Sequence, residues 1–358
     1  MSFNGAGTFQ INSTGQPVVS GTVISDTVFN ALTADLATGL SNCITKDGQQ
    51  TVTANIPMAG FKFTGMGLGS ATTDSARMDN ALMQNVMEGR LGTNTPSSAG
   101  TYTPTDGSPI IYLYPYKGNK IALYNGTQWV LRSILAAGST SLTAPATTNT
   151  NYDVFAYDNS GTVTLESTAW ASDTTRASAL TFLNGVFVKS ADNTRRYIGT
   201  YRTGGSAGQV RDTPALRYVW NYYNRLPTQV YVVSASTWTY TTATFRQANG
   251  SASNQLDFVI GIADDTFEAN VVTSVRNATT GVACRVGIGV NGTTDASTMN
   301  ASAVTAVANI QAPVTAYYRA NPSVIGRVQL TWLEYSQASG ITTWNDTATG
   351  GIFGTVWM

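Results

Sequence analysis

Beyond residue 107 the chain runs in short apolar stretches separated by Gly, Asn, Asp and Ser turn signals, a rhythm that specifies antiparallel β-structure and little else. Ile110-Ile111-Tyr112-Leu113-Tyr114 and Lys120-Ile121-Ala122-Leu123-Tyr124 read as strands. Asn125-Gly126 then stands before Trp129-Val130-Leu131, and this pair tolerates the left-handed backbone that two-residue hairpin turns require. A second hairpin follows, with Tyr152 to Tyr157 and Thr162 to Glu166 joined by Asp158-Asn159-Ser160-Gly161. Asn184-Gly185 and the run Arg195 to Tyr201 continue the pattern. The Arg195-Arg196 pair reads as solvated charge, too short a run to grip phosphates.

The phrase Arg217 to Arg225 ends before Pro227 and marks a boundary. After it, strands are expected at 230–234, 237–245, 255–262, 271–276, 282–290, 303–310 and 327–335. About seven strands with polar turns suit a sandwich or jelly roll. No repeat of fixed period runs through the chain, which disfavours a solenoid.

Composition narrows function more than fold. Charged residues make up only 11% of the chain against 42% hydrophobic, where ordinary domains carry roughly 25% charged. Scarce charge fits surfaces buried between subunits. Twenty basic and 20 acidic residues balance to zero net charge, so no nucleic-acid partner is expected. The chain has no histidine, which removes the commonest general base, histidine-based nucleophilic catalysis and His-containing metal sites together. Cys43, in a helical stretch, and Cys284, in a strand-like one, read as small buried residues. No basic region followed by an apolar run marks a signal peptide, and no run of about 18 apolar residues offers a membrane span. Synthesis in a host cytoplasm and no membrane insertion are therefore expected.

The first ninety residues differ. A strand-like opening, Gly7 to Ile11, leads through a turn at 13–17 to Ser25-Asp26, good helix-capping types. Phe29, Leu32, Leu36 and Leu40 then recur at spacings of three and four, a narrow apolar stripe. It suits a surface helix lying on a local core, or a seam between identical helices around an axis. After an alternating stretch at 51–57 comes a glycine-dense segment, and a second helix opens at Thr73-Asp74. Gly60, Gly65, Gly67 and Gly69 form neither a dinucleotide fingerprint nor a P-loop, so no cofactor is expected.

The run Asn55-Ile56-Pro57-Met58-Ala59-Gly60-Phe61-Lys62-Phe63-Thr64-Gly65, then Gly69, then Thr73-Asp74-Ser75-Ala76, resembles a segment common in bacteriophage tail fibres. Gly5-Ala6-Gly7-Thr8-Phe9 and Thr33-Ala34-Asp35-Leu36-Ala37 are similar to the N-terminal portion of such fibres, and the phrase Arg217 to Arg225 resembles them more distantly. The resemblance covers residues 1–90 and marks a fibre without naming a receptor. It implies an N-terminal part bound to another virion protein and a homotrimeric assembly. A capsid-attached head fibre or decoration protein and a polysaccharide-degrading tailspike are the alternatives.

Glycoside cleavage needs two carboxyl groups flanking the scissile bond. Only Glu88, Glu166, Glu268 and Glu334 are glutamates, and Asp257, Asp264, Asp265 and Glu268 form the densest acidic cluster. A solvated turn, a cation site or a catalytic pair are the readings of that cluster, in falling order of weight. No catalytic residue and no metal ligand is assigned. Aromatic residues offer the better lead towards a bacterial surface glycan or protein. In Ser236-Thr237-Trp238-Thr239-Tyr240-Thr241 the alternation puts Trp238 and Tyr240 on one face, which reads as buried. Trp344, beside Ser339-Gly340 and Asn345-Asp346, reads as the better exposed contact.

The expectation is a mainly β chain. Residues 1–90 form a strand-and-helix attachment region with two helices, and residues 91–107 a linker. Residues 108–227 make an intermediate β part, and residues 228–358 a β-sandwich or jelly-roll-like part that meets the host cell. The expected role is a structural, non-enzymatic virion fibre that binds rather than turns over.

Overall fold

The computed structural model describes residues 19–41, 52, 55, 56, 58, 59, 61–64, 83–97, 101–135, 138–296, 301–320 and 324–358. The strand expected at Gly7–Ile11, Cys43 and the helix expected at Thr73-Asp74 lie outside the described residues. The chain divides into two units, Met1–Gly67 and Leu68–Met358.

In the first unit the expected helix forms over Asp26–Ser41. Ser25 caps it, its Oγ accepting from the Val28 amide at 3.2 Å, and Asp26 favours the positive end of the helix dipole. Phe29, Leu36 and Leu40 are 55%, 42% and 69% exposed, and Leu32 is half-buried. Thr33 and Thr38 return their hydroxyls to carbonyls four residues back, bonds that do little for the helix.

The second unit is mainly β, built almost wholly of antiparallel sheets. A three-stranded sheet joins Gly89–Gly92, Ile110–Pro115 and Ser141–Thr143, next in sequence to the hairpin Lys120–Tyr124 and Trp129–Ser133. Leu91, expected in the linker, lies in the first of these strands. Its amide and carbonyl are both bound by the Asn221 side chain, at 2.6 and 3.2 Å. Composition cannot reveal a strand whose partner amide lies 130 residues away.

A six-stranded middle sheet centres on Asn151–Asn159 and Asp192–Arg202. The Asn159–Gly161 turn is followed by Thr162–Ala169, and Asn184-Gly185, both with positive φ, joins Leu180–Leu183 to Val186–Lys189.

Two further six-stranded sheets make the sandwich. One orders Leu216–Arg217, Gln255–Ile260, Gly326–Ser336, Ala283–Val290 and Ala301–Val304, with Arg246–Gln247 also pairing with Gly326–Ser336. The other orders Pro227–Val233, Gly351–Trp357, Phe267–Asn277, Thr342–Trp344 and Trp238–Thr239, with Ala312–Ala320 pairing with Phe267–Asn277. Leu256, Phe258, Val286, Ile288, Leu330 and Trp332 of the first sheet share one core with Val230, Phe267, Val271, Val275 and Ile352 of the second. Cys284 is buried in it.

That core also takes in Phe155, Tyr197 and Trp220 of the middle sheet, so apolar packing continues across the boundary expected at Pro227. Gly261 sits at this junction. A Cβ there would lie 2.5 Å from the Trp220 ring and would also collide with the Tyr197 hydroxyl. The Gly261→Ala variant is expected to lose about 1–3 kcal/mol through overpacking, read as a lower urea midpoint. An unchanged midpoint would mean that the two rings move aside freely.

Candidate functional site

The sequence-predicted aromatics come together at one corner of the sandwich, and they face inward. Trp238 pairs with Trp344 across two short strands. The expectation that Trp344 sits exposed in a polar loop is corrected, because it is fully buried at the end of Thr342–Trp344. Its indole Nε1 donates to the Tyr240 carbonyl at 3.1 Å, which satisfies the one polar atom of a ring otherwise suited to the core. Trp238 is buried edge-to-face against Trp332, with ring centroids 5.5 Å apart. Tyr240 is half-buried, its hydroxyl turned back to the Thr244 carbonyl at 2.9 Å.

The same corner holds a buried acid that periodicity does not announce. Glu334 has no exposed surface. It accepts from Trp238 Nε1, from Arg246 Nε at 2.8 Å and from the Asn249 amide at 3.2 Å. Burial pushes its carboxyl up to about 7, against the pull of the bonds from Trp238 and Arg246. The Arg246 guanidinium lies 3.8 Å from the Tyr240 ring centroid. Because Trp238 and Glu334 belong to different sheets, this cluster ties the sheets together and leaves no carboxylate open to a substrate.

The acidic cluster of the sequence is divided among cationic and hydroxyl partners. Asp257 is buried against Arg327, with Nη2 to Oδ2 at 2.6 Å. Asp264 and Asp265 both pair with Arg225, and Glu268 accepts from the Tyr317 hydroxyl at 2.8 Å. Among the described residues no three His, Cys, Asp or Glu side chains stand where they could hold a metal ion. The Arg195-Arg196 pair is divided too. Arg195 reaches Glu166 at 2.8 Å, whereas Arg196, pointing to the other face of the same strand, is fully buried. The solvated reading therefore fails for Arg196, since neighbours on a strand alternate between faces.

The surface that sequence reasoning missed is the outer face of the second sandwich sheet. In Phe267–Asn277 the residues Phe267, Ala269, Val271 and Val275 enter the core, which sends Glu268, Asn270, Val272 and Ser274 outward. Strand register lines up Tyr231, Phe353, Asn270 and Tyr317 on one rung across four strands, a span of about 14 Å at ordinary strand spacing. Tyr231, Tyr317 and Trp357 are 40%, 43% and 41% exposed on this side. Adjacent pairs were the available signal. Tyr317-Tyr318 and Val230-Tyr231 each put one large side chain outward wherever the other is core.

Two rungs further, an open groove of about 380 Å³ lies between Pro313 on the edge strand and the loop Asn345–Gly350, with Val272 and Ser274 among its lining residues. Its walls carry a chain of hydroxyls, Ser274 Oγ to Thr347 Oγ1 at 3.2 Å and Thr347 Oγ1 to Thr349 Oγ1 at 2.9 Å. Asn345 anchors the loop. Its Nδ2 donates to the Ser234 and Ser236 carbonyls, both at 2.8 Å, and its Oδ1 accepts from the Gly350 amide at 2.6 Å. No charged residue lines the groove.

No family model matches the chain, and no curated protein matches it. Among solved structures, 75% of the chain aligns with 68% of a chain of infectious bursal disease virus, Gt strain, at 12% identity and a TM-score of 0.27. A similar 75% aligns with latent PorU from Porphyromonas gingivalis at 11% identity and a TM-score of 0.25, spanning only 21% of that protein. A 36% portion aligns with 97% of the CBM36-1 domain of a multidomain xylanase from the hindgut metagenome of Trinervitermes trinervoides, at 12% identity and a TM-score of 0.19. Likenesses this loose carry nothing about function. No helix among the described residues is long and apolar enough to cross a membrane.

Proposed function

We propose that this chain is a structural, non-enzymatic protein of a virus particle. It is a homotrimeric phage fibre whose N-terminal part binds another virion protein and whose residues 228–358 meet the host-cell surface. The fibre-like motifs between Asn55 and Ala76 support this reading, as does the balanced, sparse charge.

One observation carries it, the exposed stripe of Phe29, Leu36 and Leu40 on Asp26–Ser41. A helix of 16 residues is marginal alone in water, and most helix stability in proteins comes from packing an apolar face. Three parallel copies joined along this stripe bury the exposed side chains against each other. Trimerisation also raises the effective concentration of weak surface contacts.

Sedimentation equilibrium of the full chain at micromolar concentration is expected to return a trimer. Leu36→Glu combined with Leu40→Glu is expected to shift it towards monomer by burying like charges at the seam. A wild-type chain that sediments as a monomer sinks the proposal.

A further inference from the structure

We propose that the outer face of the sheet containing Pro227–Val233, Gly351–Trp357, Phe267–Asn277 and Ala312–Ala320 is a binding site for a neutral oligosaccharide. One sugar would be seated in the groove beside Asn345–Gly350, and its neighbours laid on the Tyr231–Phe353–Tyr317 rung. The inference rests on the receptor-binding reading above and names its ligand class and location.

Two independent features of the face select this occupant. The first is the groove's lining of hydroxyls, an amide and apolar carbon. Ser274, Thr347 and Thr349 present linked hydroxyls, and Gln311 adds an amide. A hydroxyl both donates and accepts, so such a lining matches a ligand made of hydroxyls and offers nothing special to a cation or a phosphate. The second is the ring-bearing rung, where exposed Tyr231 and Tyr317 flank Phe353 and Asn270. Aromatic faces give broad apolar contact at small entropic cost, and Asn270 between them supplies a directional amide.

Charge argues for neutrality. Glu268, the acid nearest the rung, accepts the Tyr317 hydroxyl at 2.8 Å and stands opposite Arg319 in the register. Arg276 is taken by Asp346 at 2.9 Å. Arg319 is exposed beside Tyr317 on the edge strand, but it faces Glu268 across the register, so this edge offers an acidic glycan no net positive charge. The loop is also set before binding, since Asn345 holds it by side-chain bonds to Ser234, Ser236 and Gly350. A pre-formed site avoids the ordering cost that weakens small-ligand binding. The groove volume of about 380 Å³ sits at the small end of ligand pockets, in keeping with one sugar held closely and the rest held on the open face.

The test applies the full chain to an array of structurally defined bacterial oligosaccharides, half neutral and half bearing uronic or sialic acids. Wild type is expected to be retained by a subset of the neutral ones. Tyr231→Ala combined with Thr349→Val is expected to weaken that retention about tenfold or more with an unchanged melting temperature, because both side chains lie at the surface. Val272→Glu, which places a charge on the groove, is expected to abolish it. Retention by acidic oligosaccharides alone, or neutral retention that survives all these variants, overturns the inference. So does a Tyr231→Ala chain that sediments with fewer subunits than wild type, since the face would then be an interface between copies. A chain that sediments as a trimer and binds no neutral oligosaccharide loses this inference and keeps the fibre reading. One that binds as a monomer keeps this inference and loses the trimer.

Discussion

Arg196→Ala is expected to cost the unit Leu68–Met358 about 3–5 kcal/mol, from the cavity left by a large buried side chain together with the hydrogen bonds it gives up. Arg196 is fully buried on Asp192–Arg202. Its Nη1 donates to three carbonyls, those of Gln84 at 2.8 Å, Val86 at 3.1 Å and Ala122 at 2.7 Å. The guanidinium also lies 4.7 Å from the Tyr223 ring centroid and 5.9 Å from that of Trp129. Burial pulls its pKa down while Tyr223 opposes the pull, so carbonyl dipoles and ring faces hold the charge.

Alanine would leave a cavity and strip those carbonyls of this donor, two penalties that add. Arg196→Met separates them, since methionine refills much of the volume and restores no hydrogen bond. The methionine variant is expected to be the less damaged of the two in urea denaturation. Equal losses would assign the effect to hydrogen bonding, and a loss below about 1 kcal/mol in both would show that the guanidinium does not hold 83–86 in place.

The sequence was most legible where backbone geometry restricts residue choice. Asn184-Gly185 lies at positive φ at both residues, a requirement few residues meet, so this turn and its hairpin are visible in the chain itself. Legibility failed where a strand's neighbours excuse its composition. Ala312–Ala320 carries a proline, Pro313, as its second residue, which usually argues against a strand. Among the described residues it pairs only with Phe267–Asn277 and so lies at an edge, where a missing amide costs little.

Gly351–Trp357 hides behind its glycines, yet it lies between two strands. A Cβ at Gly354 would meet the Glu268 carbonyl, and one at Gly351 the Val232 carbonyl. Trp344 was misplaced for a related reason. Its polar flank is a real loop, Asn345–Gly350, but the tryptophan is the last residue of the strand before it. The helix Asp26–Ser41 was readable because its spacing and cap are local. The groove depends on two strands pairing in succession with one edge of Phe267–Asn277, Thr342–Trp344 and then Gly351–Trp357. No local pattern encodes such a succession.

Glu334 makes the stability of this unit depend on pH, with a sign opposite to that of an ordinary surface ion pair. Burial raises its carboxyl from 4.5 to about 7, and the donors Trp238, Arg246 and Asn249 offset only part of that rise. A folded-state pKa above the unfolded one means that the native protein binds its proton more tightly. The contribution is therefore complete below about pH 4.5 and is lost progressively as the pH climbs through about 7. A shift of this size corresponds to about 3 kcal/mol. Asp153, Asp212 and Asp265 are also pushed up by burial, so the measurement must be a difference between wild type and variant.

Glu334→Gln cannot ionise, and its amide nitrogen would have to face one of three donors. The variant is expected to be the weaker protein near pH 4.5, by about 1–3 kcal/mol for one donor left unpaired. Its disadvantage should then shrink, and can reverse, by about pH 7.5 as wild-type Glu334 ionises in the core. Urea titrations at intervals across that range give the difference directly. A gap that widens with rising pH would mean that the Arg246 pair outweighs desolvation, and the corner would then be an ion-pair clamp whose charge stabilises the joined sheets.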